Sequence, residues 1–113
     1  MLKEKLFDAL MSNTGLDLAI YFKDKEGRFI IESGGTWTIK DKTTGKLNEE
    51  TNPTIYADEW RKNELEVMKT QKTMEFRERC EVNGVVRITK STKFPIYDDD
   101  GSVCGICGVS RFV

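Results

Sequence analysis

The chain has 113 residues, 38% of them hydrophobic and 10% aromatic, which predicts one domain with an ordinary core. Lys and Arg number 18 against 19 Asp and Glu, so the net charge is −1 and neither a basic nucleic-acid groove nor an acidic disordered tail is expected. There is no histidine, which removes the usual general base, the commonest metal ligand and the proximal ligand of most haem proteins.

In chain order, Leu2, Leu6 and Leu10, broadened by Phe7 and Met11, give residues 2–12 a helical apolar stripe that ends at Ser-Asn-Thr-Gly, 12–15. A helix this short does not stand alone in water. It needs an apolar partner, and Leu6, Phe7 and Leu10 are the residues expected to meet a second copy of the chain. The same segment is too charged for a secretory signal, and no apolar run of about 18 residues is present to span a membrane, so a cytoplasmic location is expected.

Residues 16–33 read as two strands around the turn Asp24-Lys25-Glu26-Gly27, with Ala19–Phe22 before it and Phe29–Ile31 after. From Gly34 to Asn52 the chain is polar, anchored by Trp37 and Ile39, and loops with short helical turns are expected. Residues 56–72 form the surest helix, with Tyr56, Trp60, Leu65 and Met68 as its buried stripe. The period then becomes alternating. Residues 74–82 make a strand with Met74, Phe76, Cys80 and Val82 on one face, and residues 85–97 a second. A turn at Asp98–Gly101 returns the chain into a last strand, 102–112. Hairpins at each end with helices between them give an α+β fold, an antiparallel sheet with helices on one face.

These segments resemble the PAS domains, sensory modules of bacterial and archaeal signalling proteins. YFKDKEGRFI resembles the family's first hairpin and ADEWRKNELEVMKT its last helix before the sheet resumes. KFPIYDDDGSVCGICGV resembles its final hairpin, with the family's Pro, turn Gly and glycine-spaced last strand. The resemblance covers roughly residues 16–110. It implies a PAS-like five-stranded antiparallel sheet whose concave face, covered by short helices, can hold a small ligand. Residues 1–14 then form an amino-terminal dimerisation segment and residues 15–113 the sensor domain. Where the family usually ends Asp-Ile-Thr, this chain has Arg111-Phe112-Val113.

Several motifs invite chemistry. Cys104-Gly105-Ile106-Cys107 is a CxxC, but residues i and i+3 of a strand point to opposite faces with Cα atoms about 10 Å apart, beyond the ~7 Å limit for a disulfide. Buried, unreactive thiols are expected, and no metal site. The acidic runs Asp98–Asp100 and Glu49-Glu50 read as solvated turns. Arg87, Thr89 and Ser91 share one face of their strand. Two readings fit them: a pocket wall that holds a polar ligand, or a solvent face with Arg87 paired to Glu75 or Glu81. Tyr21, Trp37, Tyr56 and Trp60 can line a cavity or fill the core. Of the last strand, Cys104, Ile106, Gly108 and Ser110 are expected to face the concavity.

No GxNCRFLQ segment like that of the flavin-binding relatives occurs, and the axial histidine of the haem-binding relatives is absent, so neither a covalent flavin nor haem is expected as a cofactor. The resemblance implies a non-catalytic sensory and dimerisation module of a histidine kinase, diguanylate cyclase or similar regulator, joined to an output domain. The alternative is a ligand-free scaffolding PAS domain for protein–protein contact. Ligand candidates are Tyr21, Trp37, Tyr56, Trp60, Arg87, Thr89, Ser91, Ile106 and Ser110.

Overall fold

The computed structural model describes residues 5, 6, 9, 18–34, 45–51, 54–82 and 84–113. Within them the alternating segments form β1 (Leu18–Asp24), β2 (Phe29–Gly34), β3 (Met74–Val82), β4 (Val85–Tyr97) and β5 (Val103–Phe112). Two helices, α1 (Asn48–Thr51) and α2 (Thr54–Thr70), lie between the hairpins in the chain. All strand pairs are antiparallel, in the order β2-β1-β5-β4-β3. The last strand therefore lies at the centre, hydrogen-bonded to the first on one side and to β4 on the other.

Helix α2 packs on β3, β4 and β5 and so defines the inner face of the sheet. Period-2 alternation decides which side chains look that way. In register across the sheet these are Ala19 opposite Ser110, Tyr21 opposite Gly108 and Lys23 opposite Ile106. Ser91 pairs with Ser110 and Lys93 with Gly108 on the other side, and Phe76 and Glu78 face Ser91 and Thr89. Tyr21, Phe29, Val67 and Ile106 form the buried core cluster, with Met68, Met74 and Phe76 packed against it. The Tyr21 and Phe29 rings meet edge to face, centroids 6.3 Å apart.

The helical stripe differs from the one expected. Tyr56, Ala57, Glu64 and Val67 are buried, and Trp60 and Met68 half-buried, whereas Leu65 is 49% exposed. At 3.6 residues per turn Leu65 lies about 140° round the helix from Trp60, and Glu64 takes the inward place. The helix also runs two residues earlier than expected at both ends. It closes at Gln71, which adopts φ 55 and donates its N–H to the Val67 carbonyl at 2.8 Å.

The β4–β5 turn is held by Asp98 N–H to Ser102 O (2.8 Å) and Gly101 N–H to Asp98 O (2.9 Å). Asp100 accepts from the Ser102 N–H and hydroxyl at 2.9 and 2.6 Å, which hold its carboxyl below the usual range. That carboxylate caps a turn, and Glu50 pairs with Arg28 at 3.7 Å on the surface.

Residues 5, 6 and 9 are helical and Leu6 is 61% exposed. Phe7 and Leu10 lie outside the described residues. Among the described residues, no helix is long and apolar enough to cross a membrane.

Candidate functional site

Between the inner face of the sheet and α2 lies a cavity with about 420 Å³ of atom-free space, part of it open to solvent. It is lined by Ala19, Tyr21, Lys23, Phe29, Trp60, Glu78, Cys80, Thr89, Lys93 and Ser110. Every strand contributes, since the same alternation that buries the core points these side chains into the gap.

One wall is a line of hydroxyls. Ser91 and Ser110 are 2.7 Å apart, Thr89 and Ser91 3.3 Å, and Ser110 donates to the Tyr21 hydroxyl at 3.5 Å. Burial pushes the Tyr21 phenol above its ordinary value, Lys93 working against it. Trp60 closes the β3 edge by donating Nε1–H to the Arg79 carbonyl at 3.0 Å.

The other wall is ionic. Lys23 Nζ contacts Glu64 Oε2 directly and donates to Asn48 Oδ1 at 2.6 Å, while Asn48 Nδ2 donates to Glu64 at 3.1 Å. Lys23 also sits over the Phe29 and Tyr21 rings, 4.4 and 5.0 Å from their centroids. Lys93 Nζ lies 2.7 Å from Glu78 Oε2, which also accepts from Asn63 Nδ2 at 2.9 Å. Burial pulls Lys23 below the usual lysine value, against Glu64. Burial also opposes ionisation of Glu64, but Lys23, Lys93 and the Asn48 hydrogen bond outweigh it and hold the carboxyl below its usual range. Lys93 is likewise disfavoured by burial, yet the Tyr21 oxygen, Glu78 and Glu64 keep it above the ordinary value.

The network reaches the surface through Arg61. Its guanidinium donates to the Lys25 carbonyl at 2.9 Å, pairs with Glu64 Oε1 at 3.4 Å, and lies against Gly27 in the β1–β2 turn. Gly27 has φ +92, and a Cβ there would stand 2.7 Å from Arg61 Nη1, so both backbone and space call for glycine.

Of the residues singled out from sequence, Tyr21, Trp60, Thr89 and Ser110 line the cavity, and Ser91 is buried beside Ser110. Ile106 is fully buried in the core cluster rather than on the cavity wall. Tyr56 is buried outside the cavity lining, with the Arg79 guanidinium 5.6 Å from its ring centroid. Arg87 is exposed, as the solvent-face reading expects, and its guanidinium lies 3.6 Å from the Phe112 ring centroid, with no ion pair to Glu75 or Glu81 among the described residues. Lys90 makes the ion pair with Glu75 instead, at 3.3 Å. Trp37 lies outside the described residues. Cys80, Cys104 and Cys107 are free thiols, and burial pushes Cys107 up to about 11.

Sequence reading missed Lys23, Glu64, Glu78 and Lys93. The signal lay in parity: Lys23 follows Tyr21 by two residues, Lys93 follows Ser91 by two, and Glu78 stands between Phe76 and Cys80 on one face. Charged residues are almost never fully buried unless paired, and the partners are remote in sequence.

The strand order is β2-β1-β5-β4-β3, with helices between the hairpins and a cavity under α2. A PAS domain of a Colwellia psychrerythraea protein superposes with a TM-score of 0.74 and 18% identity, over 99% of this chain and 94% of its own. This chain has the PAS fold. The PAS domain of Bordetella pertussis BvgS is similar at TM-score 0.71 and 21% identity, over 100% of this chain and 88% of that one. Two VqmA structures, the Vibrio cholerae dimer and one bound to DPO, give TM-scores of 0.77 and 0.76 at 18% and 19% identity. Each is matched by the whole of this chain, which spans only 51% and 58% of theirs. No family profile and no curated protein matches the sequence.

Proposed function

We propose that this PAS fold is a non-catalytic sensory module of a signal-transduction protein, such as a histidine kinase or diguanylate cyclase, that holds a small polar ligand beneath α2. The observation that carries the reading is the cavity, with aromatic, hydroxyl and ammonium groups converging on one space. A ligand there shifts the population between packings of sheet and helix, and the bias passes through the termini to an attached output domain. The absence of histidine removes the commonest haem ligand and favours a free small molecule as the occupant. The VqmA structure bound to DPO supports the reading as an instance of this fold with a ligand.

Titrating the ¹⁵N-labelled chain with a small-molecule extract of its native cells is expected to move the amide signals of Tyr21, Lys93 and Ser110. Native mass spectrometry is expected to detect the added mass. Unmoved signals together with a bare mass would overturn the ligand and favour a scaffold.

The module works as a homodimer through its amino-terminal segment, and the exposed Leu6 supports this. Sedimentation velocity is expected to give a dimer that Leu6→Glu weakens at least tenfold. A strict monomer at high concentration, unchanged by the substitution, would remove the dimer from the proposal.

A further inference from the structure

The charges around the cavity balance. Lys23 and Lys93 are 2% and 1% exposed, Glu64 and Glu78 0% and 5%. Each ammonium is seated on a carboxylate, Lys23 on Glu64 and Lys93 on Glu78. Arg61 touches Glu64 only from the rim, its side chain 29% exposed. A carboxylate entering this space would bring an uncompensated negative charge beside two buried carboxylates, and an ammonium would do the converse beside two lysines. An unpaired charge in such a place is strongly disfavoured. The remaining lining adds no preference of sign: hydroxyls both donate and accept, and Ala19, Phe29 and Trp60 are apolar or donate a single N–H.

The Lys93–Glu78 pair is not saturated. Among the described residues, Lys93 Nζ has Glu78 as its hydrogen-bonding partner, which leaves further N–H donors of the ammonium unused. Glu78 takes Lys93 and Asn63 on Oε2, and Oε1 has no partner among the described residues. Donor and acceptor capacity thus lie side by side on the cavity lining, with the flat Tyr21 and Phe76 rings 5.8 and 6.0 Å from the Lys93 ammonium.

We infer that the cavity selects an uncharged, flat small molecule with a hydrogen-bond acceptor and donor on adjacent atoms, an amide-like edge, which it sets against Lys93 and Glu78. This rests on the ligand-binding reading above and narrows it to one chemical class.

Three probes of equal shape separate the charge classes: benzamide, benzoate and benzamidinium, each titrated into the ¹⁵N-labelled chain. Benzamide is expected to bind at least tenfold more tightly than either ion, with shifts at Lys93 and Ser110. Glu78→Gln leaves one positive charge in excess and is expected to turn the preference to benzoate. Lys93→Met leaves a negative charge in excess and is expected to turn it to benzamidinium; circular dichroism confirms that each variant is folded, and one folded variant suffices. Wild-type preference for either ion, binding of none of the three, or a preference that neither folded variant changes would overturn the inference. A charged metabolite found in the cavity by native mass spectrometry would overturn it while leaving the sensory reading intact. An empty cavity in the cell-extract titration is the result that removes the sensory reading itself.

Discussion

Glu64→Ala is expected to cost about 3–5 kcal/mol of folding stability, read as a shift of the urea midpoint at unchanged slope. The carboxylate is fully buried and accepts from Lys23, Asn48 and Arg61 at once. Its removal leaves the Lys23 ammonium in an apolar setting with the Tyr21 and Phe29 faces and the Asn48 carbonyl for company. Removing both partners, Lys23→Met with Glu64→Met, is expected to recover most of the loss, since replacing a buried pair with packed apolar groups is often neutral. A single variant as stable as wild type, or a double variant worse than the single, would refute the account.

The same pair sets an acid limit. Glu64 sits below its free value of 4.5 in the folded chain, so its contribution is complete above that pH and is lost as pH falls through the folded value. Lys93 is raised above 10.5, so its contribution is complete below that pH and declines only in stronger alkali. Stability measured from pH 7 down to pH 3 should therefore fall in wild type and fall less in Glu64→Gln.

Gly105→Ala is expected to destabilise by about 3 kcal/mol, the upper end for overpacking. Gly105 pairs with Asp24 of β1 and Ile96 of β4 in the middle of the sheet. A Cβ there would fall well inside contact distance of the Lys23 carbonyl oxygen, with Lys23 C and Asp24 Cα at 3.1 and 3.2 Å. These are backbone atoms, so β1 must move away from β5, and the register that brings Lys23 to Glu64 moves with it. Gly108→Ala provides the contrast. Its Cβ would strike the Tyr21 ring, a side chain with the cavity beside it, so a smaller loss of about 1–2 kcal/mol is expected together with a reduced cavity. Urea denaturation of the two variants checks the order, and Gly105→Ala as stable as Gly108→Ala would contradict it.

Much of the architecture was legible before any coordinates. The change to an alternating period in 74–82, the strand-like run 85–97, the Asp-rich turn at 98–101 and the glycine-spaced last strand point to three neighbouring antiparallel strands. The resemblance of these segments to PAS domains pointed to five antiparallel strands, whereas the order that puts the last strand at the centre came from the tertiary structure. At the site the outcome was uneven. Tyr21, Trp60, Thr89 and Ser110 carry a polar atom on a residue that pattern places inward, and they stand around the cavity. Arg87 shares the parity of Thr89 and Ser91, but it lies near the start of β4, where the side chain reaches solvent and lies over Phe112.

What the sequence determined by itself is local: where the chain is helical, where it is extended, and that histidine chemistry is absent. What only the tertiary structure decided is which charges are buried. Lys23 and Glu64 are separated by 41 residues, yet they meet inside the protein. Taken singly, each has the character of a surface residue, because the cost of burying a charge is met only by a partner of opposite sign. That partner arrives through the pairing of β1 with β5 and the seating of α2, so the inward parity of Lys23 does not by itself reveal it.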